Sequence, residues 1–206
     1  MMLSINPDNP QPRFIQMVVD VLHKGGVIAY PTDTIYGIGC DVFNKKAIER
    51  VYLIKRKDRK QPLSFICPDL KDVAKFAQVS NSNYKIMRKL FPGPYTFVLK
   101  GTNLVPKLML TKRRTVGIRV PDNNICQNLL REFGNPIVST SVSQGNDEIL
   151  NDPYDIEDRM GKIIDLIIDG GVLGTESSSV VDLTDEPPTV LRAGKGDVSY
   201  FEEYSY

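Results

Sequence analysis

Histidine is nearly missing from this sequence of 206 residues, in which His23 is the only one. A histidine-rich metal site is therefore impossible, and a Ser-His-Asp triad would have to use this single ring. His23 lies near the end of a predicted amphipathic helix, where a histidine interacts favourably with the helix dipole. We therefore expect a structural or solvated role for His23, and we expect other side chains to carry any chemistry.

Cysteine is also scarce, because the chain has only Cys40, Cys67 and Cys126. These three residues are odd in number and far apart, and their spacing matches neither a disulfide framework nor a zinc site. Such cysteine usage is typical of a reduced compartment. The sequence therefore predicts a cytoplasmic protein.

An excess of charge and a long hydrophobic run are missing as well. The formal net charge is +1, which predicts no global attraction to nucleic acid or membrane. No apolar run approaches the roughly 20 residues that a membrane-spanning helix needs. The first residues, MMLSINPDNPQPRF, lack the charged start and apolar core of a secretory signal. Hydrophobic residues make up 41% and charged residues 25% of the chain, as in soluble globular proteins.

Helical and strand patterns alternate along the chain. The predicted helices are 12–24, Asn44 to about Lys55, one from Asp69, one from Ser80 or Ser82, 124–133 and 153–161. The predicted strands are 27–31, 63–67, 95–101, 115–120, 136–141, 163–169, 178–184 and 189–194. Some strands follow one another directly, which favours an α/β sheet of mixed direction. We expect strand 95–101 to be half exposed and the polar segment 143–155 to form a long mobile loop.

Common nucleotide and catalytic motifs are absent from the sequence. A dinucleotide loop after Gly37 and Gly39 would need a third glycine at position 42, which is Val42. The patterns G-x-x-x-x-G-K-[ST], H-E-x-x-H, C-x-x-C and G-x-S-x-G do not occur.

Clusters of cations stand out instead. They are Lys55, Arg56, Lys57, Arg59 and Lys60, then Lys112, Arg113 and Arg114 leading to Arg119, and finally Arg192 and Lys195. A polyphosphate ligand needs several cations, because its charges must be neutralised together. The alternative is that these clusters are solvated faces, and the end of a helix also favours cations.

Clusters of hydroxyl groups occur at the edges of predicted strands. They are Thr32 and Thr34, Thr115, Ser139 to Ser141, and Ser177 to Ser179. Each cluster alone is typical of a cap or a turn. Together they favour a ligand crevice, because α/β sheets form such crevices at strand ends.

The stretch YPTDTIYGIG, residues 30–39, directly follows a predicted buried strand. It is either a ligand-binding turn or a purely structural one. In the first case, Gly37 and Gly39 would allow the backbone and a ligand to approach each other closely.

The ordered set of these motifs resembles the YrdC/YciO superfamily, which includes threonylcarbamoyl-adenylate synthases. The resemblance runs from about residue 10 to residue 196. Its markers are PTDTIYGIG (31–39), the basic run ending in QPL (55–63), FPGPYTFVLK (91–100), TVGIRVPD (115–122), VSTS (138–141), SSVVDLT (178–184) and VLRAG (190–194). It implies one YrdC-like α/β domain over residues 1–206, with a twisted mixed parallel and antiparallel sheet flanked by helices around a large concave cavity.

The resemblance also implies a reaction. The amine of L-threonine takes up carbon dioxide or bicarbonate to form a carbamate, whose oxygen attacks the α-phosphate of ATP and releases pyrophosphate. The product, threonylcarbamoyl-adenylate, serves the modification of a tRNA adenosine next to the anticodon. ATP would act with Mg²⁺, and we expect no metal ligands from the protein. Such a reaction depends on positioning and charge neutralisation more than on a covalent nucleophile.

Site roles follow from the resemblance, position by position. The residues implied for L-threonine are Thr34, Tyr36, Arg119 and Ser178, with Arg119 on the carboxylate in a two-pronged contact. Lys55 and Lys57 are implied to face the triphosphate as the catalytic residues. The residues implied for the nucleotide are Lys57, Gln61, Thr115, Ser139, Ser141 and Arg192.

Three positions differ from the usual synthase pattern. Synthases of the family typically show K-x-R and S-x-N, whereas this chain has Lys57 and Ser141 at the last positions of these motifs, and Ile66 stands where a histidine is common. These residues bring the chain closer to the YciO branch and leave two alternatives open. One is a protein that binds tRNA or double-stranded RNA through Arg56, Arg59, Lys60, Lys112, Arg113 and Arg114. The other is a nucleotide-binding regulator without catalysis.

Overall fold

The structure, a computed structural model, describes residues 1–56, 63–144 and 148–202. Its strands are β1 (Met2–Ser4), β2 (Ile28–Tyr30), β3 (Gly37–Gly39), β4 (Ser64–Ile66), β5 (Tyr95–Lys100), β6 (Thr115–Arg119), β7 (Ile137–Ser141), β8 (Ser143–Gln144), β9 (Glu148–Ile149), β10 (Leu166–Asp169), β11 (Ser179–Asp182) and β12 (Thr189–Arg192). Its helices are α1 (Pro12–His23), α2 (Lys45–Ile54), α3 (Leu70–Phe76), α4 (Asn81–Leu90), α5 (Asn124–Phe133), α6 (Pro153–Met160) and α7 (Ser199–Glu202), with a 3₁₀ turn at Lys107–Met109. None of these helices is long and apolar enough to cross a membrane.

Ten of the described strands form one sheet in the order β1-β10-β2-β3-β7-β4-β6-β5-β11-β12. The pairs β1–β10, β10–β2, β4–β6 and β5–β11 are parallel, and the other neighbours are antiparallel. The predicted α/β sheet of mixed direction is therefore confirmed.

Local signals set the helix boundaries. The side chain of Asn44 accepts a hydrogen bond from the N–H of Ala47 (3.0 Å), and Asp69 and Ser80 cap the next two helices in the same way. Gly134 ends α5 in the left-handed region with φ of 76°, which glycine adopts without strain. The predicted helix starts at Asn44 and Asp69 are confirmed, and of the two alternatives Ser80 and Ser82 the cap is Ser80.

One face of the sheet is covered along its length. Successive side chains of a strand point to opposite faces, and Phe65, Phe97 and Ile118 point to the same face. All three are fully buried in the larger core, which also contains the inner side chains of α2, α3, α4 and α6. This face holds most of the apolar area that the fold removes from water.

The opposite face is only half covered. Helices α1 and α5 pack on β1, β10 and β2 and form the second core, which reaches as far as Ile66 and Ile137. Beyond these residues the same face carries Ser64, Gly117 and Ser139, which lie side by side because Ser64 pairs with both of the others. Because these residues are small and helices α1 and α5 do not cover them, an open space remains above this part of the sheet.

Three expectations about the fold need correction. Strand β5 is mostly buried because it lies between β6 and β11, so the expected half-exposed strand is wrong. The segment 143–155 is not a long loop, because β8 pairs with β9 and α6 begins at Pro153; residues 145–147 lie outside the described part. The predicted strand 163–169 begins only at Leu166, because Ile163 and Ile164 still bond to the carbonyl of Met160.

Gly37 and Gly39 serve the sheet itself. A Cβ atom at Gly37 would lie 2.8 Å from Cζ of Tyr30, and one at Gly39 would collide with the main-chain carbonyl of Val138. These glycines therefore let β3 pack tightly against the Tyr30 ring and β7. At Gly39, protein atoms fill the space that we expected a ligand to approach.

We predict that Gly39→Ala destabilises the protein by about 1–3 kcal/mol, because the extra methyl group overpacks the centre of the sheet. Denaturant unfolding measures this change. Gly174→Ala is the matched control, since its nearest contact would be an ordinary 3.9 Å from the carbonyl of Thr34. An equal loss of stability in both variants would contradict this assignment.

Candidate active site

A cavity of about 470 Å³ lies over the half of the sheet that α1 and α5 leave uncovered. Its volume is in the range of small-molecule sites. Most of its polar lining is hydroxyl groups, contributed by Thr32, Ser64, Thr96, Thr111, Thr115, Ser139, Thr140, Ser141, Ser143, Ser177 and Ser178. The hydroxyl clusters that are distant in sequence therefore meet in one place.

Seven of the predicted site residues line this cavity: Tyr36, Thr115, Arg119, Ser139, Ser141, Ser178 and Arg192. Lys55 forms hydrogen bonds to the lining residue Ser143. Thr34 is buried and is not among the lining residues. The predictions for Lys57, Arg59, Lys60 and Gln61 lie outside the described residues.

Arg119 is the most buried cation of the cavity. Its side chain is 8% exposed and forms an ion pair with Asp33, whose side chain is 11% exposed. A single hydrogen bond from Nη2 to Oδ1 joins them, so that Nε of Arg119 and Oδ2 of Asp33 have no partner among the described atoms. Sequence analysis missed Asp33, although it is part of the PTDT motif.

Arg192 is the second guanidinium of the cavity. Its Nε and Nη2 donate to the carbonyl of Ser178 at 3.1 and 2.7 Å. Burial and the charge of Arg119 both lower the pKa of Arg192. The hydroxyl of Ser178 shares a 2.9 Å hydrogen bond with that of Thr96, so the predicted Ser178 and the unpredicted Thr96 act together.

Lys55 follows α2 and reaches the edge of the cavity. Its ammonium donates to the hydroxyl of Ser143 and, at 3.3 Å, to the Ser143 carbonyl. Ser143 lines the cavity and begins the β8–β9 hairpin. The structure thus places this predicted catalytic residue beside the cavity.

The PTDT turn is held by its own hydroxyl groups. Thr32 donates to the carbonyl of Ile35 (2.7 Å), and its oxygen accepts from the N–H of Thr34 (3.1 Å). The hydroxyl of Thr34 is 3.1 Å from that of Thr32 and is buried. Of this pair, Thr32 is among the residues that line the cavity and Thr34 is not.

Tyr36 forms part of the wall, and its hydroxyl group is fully used by the protein. It donates to the carbonyl of Gly171 (2.8 Å) and accepts from the N–H of Gly170 (3.1 Å). Burial raises the pKa of Tyr36 to about 12, although the Gly170 N–H opposes the shift. Tyr36 thus ties the PTDT loop to the loop after β10.

The basic turn, which we define as residues 112–114, lies between two lining residues. Thr111 and Thr115 share a hydroxyl hydrogen bond of 2.7 Å and both face the cavity. The side chains of Lys112, Arg113 and Arg114 are exposed, and Arg113 forms a 3.1 Å ion pair with the equally exposed Asp185. Arg56, at the edge of the described segment, is exposed as well.

Ile66 lies behind the site and does not line it. Its Cα pairs with that of Arg119, and its side chain is fully buried in the second core. The isoleucine at this position therefore leaves the lining of the cavity unchanged.

The cavity has a positive interior. Its lining contains Arg119 and Arg192 and, among the described residues, no carboxylate. Nor do the described residues place three or more His, Cys, Asp or Glu side chains where they could hold a metal ion. Two guanidinium groups among many hydroxyl groups can bind an anionic ligand that has several hydrogen-bonding groups.

We predict strong coupling between Asp33 and Arg119. Arg119→Gln or Asp33→Asn alone should cost about 3 kcal/mol, because each leaves a buried charge without its partner. The double variant should lose at least 1 kcal/mol less than the sum of the single losses, an energy that a denaturant double-mutant cycle measures. Additive losses would show that the two side chains do not interact.

Comparisons with known proteins agree with this architecture. The family model Sua5_yciO_yrdC, described as telomere recombination, matches residues 20–194. The uncharacterized protein YciO of Escherichia coli strain K12 is 45% identical over 199 residues, 96% of this chain and 97% of that protein. The crystal structure of E. coli YciO superposes with a TM-score of 0.94 at 44% identity, covering 98% of both chains.

More distant relatives carry a specific name. A threonylcarbamoyl-AMP synthase of Vibrio vulnificus is 32% identical over 161 residues, 77% of this chain and 87% of the synthase. Pyrococcus abyssi Sua5, crystallised in complex with L-threonine, shares the fold with a TM-score of 0.92 at 24% identity. That match covers the whole of this chain and 61% of Sua5. The chain therefore belongs to the Sua5/YciO/YrdC family, which includes threonylcarbamoyl-AMP synthases.

Proposed function

We propose that this protein is an L-threonylcarbamoyl-adenylate synthase that uses ATP, L-threonine and bicarbonate. The threonine amine adds to the carbon of bicarbonate and water leaves, which gives a carbamate. A carbamate oxygen then bonds to the α-phosphorus of ATP while the bond to pyrophosphate breaks. One observation carries the proposal: Arg119 and Arg192 face the same hydroxyl-lined cavity.

The buried end of the cavity suits the amino acid. Arg119 would hold the carboxylate, and the paired hydroxyls of Ser178 and Thr96 offer hydrogen bonds nearby. Support comes from a Sua5 protein of the same fold that was crystallised with L-threonine.

The hydroxyl groups of the cavity lining suit the nucleotide. We propose that Ser139, Ser141 and Thr115 bind the nucleotide and its phosphates and that Arg192 neutralises phosphate charge. Lys55 would leave Ser143 to meet the triphosphate, and Lys57 and Gln61 keep the roles that the resemblance implies. Since the described lining has no carboxylate, we propose that Mg²⁺ enters with ATP and that the chain provides it no cage.

A covalent nucleophile is not required for this reaction. Burial raises the pKa of the thiols of Cys40, Cys67 and Cys126, which keeps them protonated at neutral pH. Catalysis would come from holding the carbamate against the α-phosphate and from neutralising the charge that develops.

We predict pyrophosphate release that depends on both L-threonine and bicarbonate. Arg119→Lys should lower kcat/KM for threonine by about ten- to a hundredfold and change the KM for ATP much less, because a lysine loses the planar fork. Arg131→Lys, on the exposed side of α5, is the matched control. Bound ATP without threonine-dependent pyrophosphate would refute the synthase and favour the nucleotide-binding regulator.

A second candidate function rests on the basic turn at the cavity edge. Its three cations are exposed, and a surface ion pair such as Arg113–Asp185 can exchange its partner at little cost. We propose, as the alternative, that this turn binds the phosphates of tRNA or double-stranded RNA.

We predict that RNA affinity falls steeply with salt if this alternative holds. Replacing Lys112, Arg113 and Arg114 by glutamine should reduce the log–log salt slope by about one unit for each lost phosphate contact. A variant with Lys24, Lys45 and Lys46 changed to glutamine alters the net charge equally and serves as the control. The same slope in all three proteins would exclude the basic turn as an RNA contact.

A further inference from the structure

A second cavity, of about 320 Å³, lies at one edge of the sheet. Its walls come from the start of α4, the end of β5 and the segment that joins β11 to β12. Because β5 and β11 are parallel, their last residues meet at the same edge. The described residues that line this second cavity are all different from those that line the candidate active site. Its volume is sufficient for a small organic molecule.

Asn83 is a buried amide in the wall of the second cavity. The residue is 8% exposed, and its Nδ2 donates to the carbonyl of Leu183 at 2.9 Å. A carbonyl can only accept a hydrogen bond, so this contact fixes which end of the amide is the oxygen. That oxygen, Oδ1, has no hydrogen-bond partner among the described residues. An acceptor at this depth is unfavourable unless a donor enters the cavity.

The hydroxyl groups of the second cavity already use their protons within the protein. Ser82 donates to Oε1 of Glu186 at 2.7 Å, so Ser80, whose oxygen is 2.9 Å from that of Ser82, donates to Ser82. Thr184 donates to Oδ1 of Asp182 at 2.6 Å. The lining residues Ser80 and Thr184 therefore offer a ligand only acceptor lone pairs.

Two exposed carboxylates add further acceptors to this wall. The hydrogen bond from Ser82 uses one oxygen of Glu186, and the ion pair with Arg113 uses one oxygen of Asp185. The second oxygen of each carboxylate has no such partner among the described residues. A ligand at this wall must therefore supply N–H groups, and a charged ammonium supplies three of them.

Lys100 adds a positive charge to the second cavity. It is the last residue of β5, is exposed, and forms no ion pair with the described residues. A ligand that is only a cation would be repelled by this lysine, whereas a carboxylate on the same ligand would pair with it. The lysine and the wall of acceptors together fit a ligand that carries both an ammonium and a carboxylate.

We propose that the second cavity binds a small zwitterion with a free ammonium group, such as an amino acid. Its ammonium donates to Oδ1 of Asn83 and to the carboxylate of Glu186, and its carboxylate accepts from Lys100. This inference goes beyond the proposed function and does not depend on it, because the residues concerned lie outside the candidate active site. It gives the protein a second small-molecule site.

Glycine tests this inference, with N,N,N-trimethylglycine as a zwitterion that has no N–H group. Backbone amide chemical shifts should change at Asn83 and Thr184 on titration with glycine. Trimethylglycine should bind there at least about tenfold more weakly, because it keeps both charges but cannot donate to the acceptors. N,N-dimethylglycine, which is almost as large and has one N–H, controls for size and should bind more tightly than trimethylglycine.

A lysine variant tests the other end of the ligand. Lys100→Gln should lower the glycine affinity measured at Asn83 by about three- to tenfold, because the carboxylate loses its cation. Lys107→Gln, another exposed lysine, is the matched control for bulk charge and should leave that affinity unchanged.

Four results would overturn the inference. They are shift changes confined to the candidate active site, equal affinities for trimethylglycine and dimethylglycine, equal losses in Lys100→Gln and Lys107→Gln, or methylammonium that binds as tightly as glycine. The last result would show a plain cation site. Because the experiment omits ATP and follows residues outside the candidate active site, its outcome is independent of threonine-dependent pyrophosphate release.

Discussion

Side chains alternate between the two faces of every strand, and in this sheet the two faces have different surroundings. One face is buried in the larger core along its whole length, while α1 and α5 cover only part of the other. On the uncovered part, Ser64, Gly117 and Ser139 lie next to each other in register. The same alternation that fills the core therefore builds a hydroxyl-lined floor for a ligand.

The second constraint on the structure is the buried positive charge of Arg119 in the cavity. Taking Arg119 out of water is costly, and Asp33 offsets part of that cost. A carboxylate elsewhere in the cavity would also have neutralised the guanidinium of Arg192, but the described lining contains no carboxylate. Among the described lining residues, the positive charge of Arg192 therefore has no carboxylate to balance it, and an anionic substrate would supply that balance.

Local signals in the sequence predict where most helices and strands begin and end. They do not predict which strands pair, and so they do not predict contacts between side chains on distant strands. Asn44, Asp69 and Ser80 mark helix starts because a cap depends on neighbouring residues. The role of Thr96 was missed because its contact with Ser178 depends on the pairing of β5 with β11. The sequence also could not reveal that Thr32 lines the cavity and Thr34 does not, because the lining consists of residues that are distant in sequence.

The central claim is that the uncovered half of the sheet binds both substrates. Backbone amide chemical shifts during a titration with ATP, Mg²⁺ and L-threonine measure this residue by residue. We predict the largest changes at Gly117, Ser139 and Ser178, and small ones at Ile48 and Met87 in the opposite core. Changes confined to the basic turn or to the helices of the covered face would contradict this account.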